Sequence, residues 1–297
     1  MTILLLGKNG QLGWELQRSL APLAPLVALD RQGEGALCGD LGDLDGLAAT
    51  VRAVRPTVIV NAAAHTAVDR AEGEPELAWR INAAAPAVLA REGAACGALL
   101  VHYSTDYVFD GSGDAPWAED APTGPLNVYG HTKLAGEQAI RAAGCAHLIF
   151  RTSWVYAARG GNFARTMLRL AQERERLTVV GDQWGAPTGA ELIADVSAHA
   201  IRQWRQRPQD AGTYHLAAAG ATTWFEYAKY VLAQAQKAPE AIKLIVNEVV
   251  PVATSAYPTP ARRPHNSRLD TRKLQSVFGL TLPPWQDGLR RLLTEII

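Results

Sequence analysis

The chain has 297 residues with 29 Lys and Arg against 29 Asp and Glu, and it is 48% hydrophobic. That length and apolar share predict a globular protein of about two domains, or one large α/β unit with an attached lobe. The zero net charge leaves no face-wide basic excess, so a nucleic-acid polymer and an anionic membrane are excluded as expected partners.

Three scattered cysteines, Cys38, Cys96 and Cys145, form no Cys-x-x-Cys pair. They fit free thiols in a reducing cytoplasm rather than a disulfide framework or a zinc site. The apolar start, Thr2 to Leu6, is short for a signal-peptide core. No run approaches the roughly 20 apolar residues of a membrane span. The expected location is cytoplasmic.

Thr2 to Leu6 reads as a parallel strand buried on both faces. Gly7-Lys8-Asn9-Gly10-Gln11-Leu12-Gly13 follows and opens a helix with Leu12, Leu16 and Leu20 on one face. Strand, glycine turn and helix make a dinucleotide-binding arrangement. Glycine lets the backbone approach a pyrophosphate, and the helix start offers N–H groups to it. The spacing is G-x-x-G-x-x-G, not the commoner G-x-G-x-x-G.

Leu26 to Leu29 is a second strand ending at Asp30, placed to accept hydrogen bonds from an adenosine ribose. Asp30 repels a 2′-phosphate and Arg31 attracts one, so NADH and NADPH both stay open. Asp40 and Leu41 border the adenine position, and Asp43 caps a helix carrying Leu44, Leu47, Val51 and Val54. Thr57 to Val60 is a third strand. Ala63, Ala64, His65 and Thr66 lie just past it, where small residues let a flat cofactor approach. A helix over 75–95 leads to a fourth strand, Leu99 to Tyr103.

Ser104, Thr105 and Asp106 follow at that strand's carboxyl end, where open α/β sheets bind ligands; a Ser/Thr turn is the alternative. Residues 110–127 read as a loop. Tyr129 and Lys133 then share one face at the start of a helix. An ammonium about 4 Å from a phenol contributes on the order of 4 kcal/mol at an effective dielectric of about 20. That is about three pKa units, enough to bring tyrosine near working pH as an acid or base.

His147 to Arg151 is a fifth strand, with Trp154 beyond its end as a pocket wall or a core residue. Later elements are a strand near 178–180, helices near 191–203 and 223–237, and a strand over 244–250. Arg262, Arg263, Asn266 and Arg268 form a cationic group suited to phosphate oxygens or to plain surface. A helix near 285–296 closes the chain.

These motifs together resemble the extended short-chain dehydrogenase/reductases, and within them the dTDP-4-dehydrorhamnose reductase family. The matching stretches include 7–13, 60–66, 103–109, 127–130, 151–156 and 263–269, nearly the whole length. The resemblance implies reduction of a dTDP-sugar 4-keto group by NADPH or NADH. It makes Tyr129 the proton donor, with Lys133 lowering the phenol pKa and holding the nicotinamide ribose. Thr105 orients substrate and phenol, while Asp106 and Trp154 contact the sugar nucleotide. Some members are similar in using magnesium at a homodimer interface, and Glu15, Glu191 and Glu295 match those positions.

The expected fold is a Rossmann-type doubly wound sheet over 1–155, with segments near 190–216 returning to it. A smaller mixed α/β lobe fills 156–297. One rival is a sugar-nucleotide dehydratase or epimerase, but Tyr107 stands where dehydratases carry an acid–base glutamate. The other is a regulatory partner of methionine adenosyltransferase, disfavoured because Tyr129 and Lys133 are both present.

Overall fold

Short apolar runs with no polar alternation have to be covered on both faces, and the central sheet is built from them. The computed structural model describes residues 1–237 and 242–297. Six parallel strands form the sheet: β1 (Ile3–Leu6), β2 (Leu26–Leu29), β3 (Val58–Asn61), β4 (Leu99–Thr105), β5 (His147–Thr152) and β6 (Gly212–His215). Their spatial order is β6-β5-β4-β3-β1-β2.

Strand residues sort by parity. Ile3, Leu5, Val58, Val60, Leu99, Val101, Leu148 and Phe150 share one core. There they meet α1 (Gln11–Leu20) through Leu16 and Leu20, and a helix over Ala190–Trp204 through Ile193, Val196 and Ile201. Leu4, Leu6, Ile59, Leu100 and Ile149 share the other core. That core is closed by α2 (Leu44–Val54), α3 (Ala85–Cys96) and α4 (Val128–Ala142). Helices on both faces of a parallel sheet make this a doubly wound α/β fold.

The chain winds outward from β1 to β2, then crosses back to β3 on the other side of β1. A crevice therefore opens at the carboxyl ends of β1 and β3. The segments Ala190–Trp204 and Gly212–His215 join this unit, and Arg272–Phe278 packs beside them through Leu274 and Phe278.

A second core joins Phe163–Glu173, Trp224–Ala235 and Trp285–Ile296 through Met167, Tyr227, Val231 and Leu289. Two parallel strands, Arg176–Val180 and Glu248–Val252, lie beside it. The later strand starts at 248 rather than 244. The N–H groups of Ile245 and Val246 are already bonded to the Ala171 carbonyl at 2.9 and 3.1 Å, at the edge of a helix end. No helix among the described residues is long and apolar enough to cross a membrane.

One ionic cluster ties the sheet to α4. Glu137 is fully buried, and its carboxylate accepts Arg151 Nε at 2.9 Å and Arg151 Nη2 at 2.7 Å. Ser104 Oγ at 2.5 Å and Arg141 Nη1 at 3.1 Å complete its partners. Arg151 also lies over the Phe109 ring at 5.1 Å. Removing one partner of a buried ion pair leaves an uncompensated charge, which costs about 3–5 kcal/mol. Arg151→Met is therefore expected to lower unfolding stability by about 3 kcal/mol. Urea melts check this, and an unchanged midpoint would show that the cluster contributes nothing.

Candidate active site

The glycine turn after β1 is shaped by close approach. Gly7 has φ +88, and a Cβ there would lie 2.8 Å from the Ala63 nitrogen. A Cβ on Gly13 would fall 2.0 Å from the Gly7 carbonyl oxygen, so α1 can seat on the turn only without a side chain there. Gly10 starts α1, and no side chain caps that end. Its first N–H groups therefore face the crevice, as anion binding requires.

A cavity of about 900 Å³ runs from this turn toward Tyr129. Its cofactor end is lined by Gly7, Asn9, Gly10, Gln11, Leu12, Asp30, Arg31, Asp40, Leu41, Ala63, Ala64 and Thr66. Asp30 Oδ2 accepts Asn9 Nδ2 at 2.6 Å, and Oδ1 accepts the Gln32 N–H at 2.9 Å. Ser104, Thr105, Asp106, Tyr129, Lys133 and Trp154 line the other end.

Asn127 sets the position of Tyr129. Its Oδ1 accepts the Gly130 N–H at 2.8 Å, which caps α4, and its Nδ2 donates to the Arg262 carbonyl at 2.7 Å. The phenol keeps part of its surface toward the cavity, yet the surrounding protein strips it of water. Burial pushes its pKa well above the ordinary value; the Thr105 hydroxyl opposes this and the Asp106 carboxylate adds to it.

The expectation that Lys133 acidifies this phenol needs correction. Lys133 Nζ donates to the Tyr103 carbonyl at 2.6 Å and lies 3.3 Å from His102 Nε2. Burial pulls its own pKa down to about 8, with Glu137 opposing. Desolvation outweighs the helical spacing that the sequence argument relied on.

Asp106 is 2% exposed, and burial raises its pKa from 3.8 to about 6 despite hydroxyls from Ser267 and Thr105. Thr105 Oγ1 donates to Asp106 Oδ1 at 3.0 Å, while Oδ2 has no hydrogen-bond partner among the described residues. Thr152 Oγ1 and Gln11 Oε1, from residues that also line the cavity, are likewise unpartnered. Trp154 has φ 49, a left-handed conformation that a bulky residue rarely adopts. Its ring stacks on Trp224 at 3.6 Å between centroids, and a Cβ on Gly185 would touch it at 2.5 Å.

The family described as RmlD substrate binding domain matches residues 1–297. The chain belongs to that family. It is similar to dTDP-4-dehydrorhamnose reductase of Escherichia coli, at 59% identity over 100% of this chain and 98% of that one. Among solved structures, the dTDP-4-dehydrorhamnose reductase of Clostridium acetobutylicum superposes with TM-score 0.90 at 34% identity, covering 99% of each chain. That of Bacillus anthracis, in complex with NADP, gives 0.87 at 35%, again covering 99% of each.

Several sequence-predicted residues face elsewhere. Gly13 packs under the turn rather than lining the cavity. The His65 imidazole turns to Glu74, 3.2 Å away, while its backbone is pinned by Asn82. Ser104 lines the cavity, but its hydroxyl is committed to Glu137. Asn266 is buried, donating to the Ala115 carbonyl at 2.8 Å and accepting Arg268 Nε at 2.8 Å. Arg268 lies over Trp184 at 5.6 Å, and Arg262 is exposed. None of Arg262, Asn266 and Arg268 lines the cavity.

Glu15, Glu191 and Glu295 come close enough for Glu191 to sense both neighbours, but Arg291 stands among them and bonds Glu295 at 3.2 Å. Among the described residues, no three His, Cys, Asp or Glu side chains could hold a metal ion.

Sequence reasoning missed Asn61, Thr152 and Trp224, and weighed Tyr107 only against a dehydratase glutamate; all four line the cavity. It also missed His102, which lies under it in contact with Lys133. Asn61 and His102 pair in register at the ends of apolar runs, and a polar residue at such a place was the available signal.

Asp106 gives a pH-dependent prediction. Its folded pKa, about 6, lies above the ordinary 3.8, so the folded state holds the extra proton between those values. Stability is thus lost as pH rises through that window. Asp106→Asn is expected to be more stable than the parent by about 3 kcal/mol at neutral pH, with little gain near pH 4. Chemical denaturation at both pH values tests it; equal parent and variant midpoints at neutral pH would contradict it.

Proposed function

We propose that this chain reduces the 4-keto group of dTDP-4-dehydrorhamnose to give dTDP-L-rhamnose, using NADPH or NADH. Support comes from family membership and from one geometric observation. A phenol, a threonine hydroxyl and an unpartnered carboxylate oxygen surround one end of a cavity whose other end is a dinucleotide turn. Asp30 is already shared with Asn9, and Arg31 is exposed beside it, so this end suits either dinucleotide.

A reduced dinucleotide held by the glycine turn after β1 and by Lys133 would supply hydride to the sugar carbonyl carbon. As that bond forms, the carbonyl π pair moves onto oxygen. Tyr129 breaks its O–H bond and gives the proton to that oxygen. An alkoxide is a far stronger base than a phenolate, so a phenol of raised pKa still protonates it. The raised pKa also keeps the proton on Tyr129 until charge develops, which stabilises the transition state more than the ground state.

Thr105 orients the phenol and the carbonyl. Asp106 Oδ2 accepts a sugar hydroxyl, and Trp154 walls the ring. Lys133 holds the nicotinamide ribose as an ammonium. Tyr107 packs edge-on against Tyr129 at 5.6 Å, and it puts a phenol where a dehydratase needs a carboxylate.

Tyr129→Phe is expected to bind NADPH as the parent does and to lose turnover by about 10²- to 10⁴-fold. The assay follows reduced-cofactor consumption with dTDP-4-dehydrorhamnose, and a near-parental rate would remove Tyr129 from the mechanism. If the parent eliminates water from a dTDP-hexose and consumes no reduced cofactor, the dehydratase reading replaces this one. The ammonium role adds a pH limb: kcat/KM should fall as pH rises through about 8, where Lys133 loses its proton. A flat profile up to about pH 10 would exclude a working ammonium.

A further inference from the structure

His102 is a buried polar residue in the middle of β4, directly after the apolar run Leu99–Val101. It is 1% exposed, sits on β4, and takes no part in the chemistry described above. It does not line the cavity, so it touches no ligand. Its two ring nitrogens have separate partners. Nδ1 lies 3.2 Å from Asn61 Nδ2, across the β3–β4 pairing. Nε2 lies 3.3 Å from Lys133 Nζ, which also donates to the Tyr103 carbonyl at 2.6 Å.

We propose that His102 is a positioning residue for Lys133: its imidazole, oriented by Asn61, clamps the lysine nitrogen against the Tyr103 carbonyl at the cavity floor. This rests on the reductase reading for its kinetic consequences, but not for its structural ones.

The proton arrangement gives the clamp a second property. Asn61 Oδ1 accepts the Ala63 N–H at 3.3 Å, which turns the amide nitrogen toward His102. His102 Nδ1 is then the acceptor, and the neutral ring carries its hydrogen on Nε2. That N–H is aimed at Lys133 Nζ. It bonds well only to the amine form, which has a lone pair. An ammonium at the same place calls for the other tautomer, with a bare Nε2 and a hydrogen on Nδ1. Asn61 must then turn its oxygen to the ring and give up the Ala63 N–H. Lysine protonation, histidine tautomer and amide orientation form one coupled unit.

Burial and the neighbouring lysine hold the imidazole itself neutral throughout. The charged groups around the unit come from three elements. Glu137 shares α4 with Lys133 and is locked to Arg151 of β5 and Arg141 of α4. Asp106 and Tyr129 stand on the cavity side. Asn61 of β3 is neutral. Glu137 favours the ammonium and its arginine partners screen it, so the histidine tautomer is the adjustable part.

Two measurements test the unit. Nitrogen-15 spectra of the histidine-labelled protein, with His102 assigned by its loss in His102→Gln, report the tautomer. The expected result is hydrogen on Nδ1 at low pH and on Nε2 at high pH, reversing near pH 8 as Lys133 titrates, and no reversal in Lys133→Met. The second is the pH profile of kcat/KM. In His102→Gln an amide oxygen accepts from the ammonium at any pH, so the basic limb should move up by roughly one unit with kcat near parental. In His102→Leu the nitrogen keeps only the Tyr103 carbonyl, and the KM for NADPH should rise about tenfold.

A purely structural histidine would lower stability and leave the limb in place. A single tautomer across the whole pH range overturns the proposal, and so does an unmoved limb in a folded His102→Gln protein. Should the variants misfold, the spectra of the parent decide alone. A parent that shows the tautomer reversal but reduces no dTDP-4-dehydrorhamnose would overturn the reductase reading and leave the clamp standing.

Discussion

The Glu137 carboxylate is the group on which the site's geometry depends. It has no exposed surface, so it must be neutralised inside the protein. Arg151 does this from β5 through two hydrogen bonds, and Ser104 adds a third from β4. The carboxylate itself rides on α4. A helix and two strands are thereby held in one register, and Thr105, Tyr129 and Lys133 project from those elements. The arrangement also keeps a negative charge beneath Lys133, which offsets part of the burial that would otherwise strip its proton.

Desolvation then decides the chemistry. A phenol and an ammonium at helical spacing suggest mutual tuning, but each is surrounded by protein and each is shifted toward its neutral form. For a reaction that ends by protonating an alkoxide, a reluctant acid serves well. On the proposed mechanism the lysine contributes by where it is held and by its charge, more than by acidifying its neighbour.

The doubly wound sheet was legible in the sequence because buried parallel strands leave unbroken apolar runs, as Ile3–Leu6 and Leu99–Val101 do. The start of α4 was legible as well, because the loop over 110–127 ends where the helix begins. The second lobe was harder. Its pairings include strands of two residues, such as Trp184–Gly185, too short for any periodicity. In the site, the glycine turn and the Thr105–Asp106 end could be found by position alone. Asn266 and Ser104 could not be judged that way. A sequence shows which groups can donate and accept, but not which are already spent on carbonyls such as Ala115 or on a buried acid such as Glu137.

Trp154 carries a consequence for the shape of the cavity. Its left-handed backbone is held from outside, by the Trp224 ring behind it and by the absence of a side chain at Gly185. A wall imposed in this way has one orientation and little freedom to swing. The cavity is therefore bounded on that side by shape rather than by a polar group. Widening the cavity there would mean rebuilding the tryptophan stack and the Gly185 backbone that abuts it.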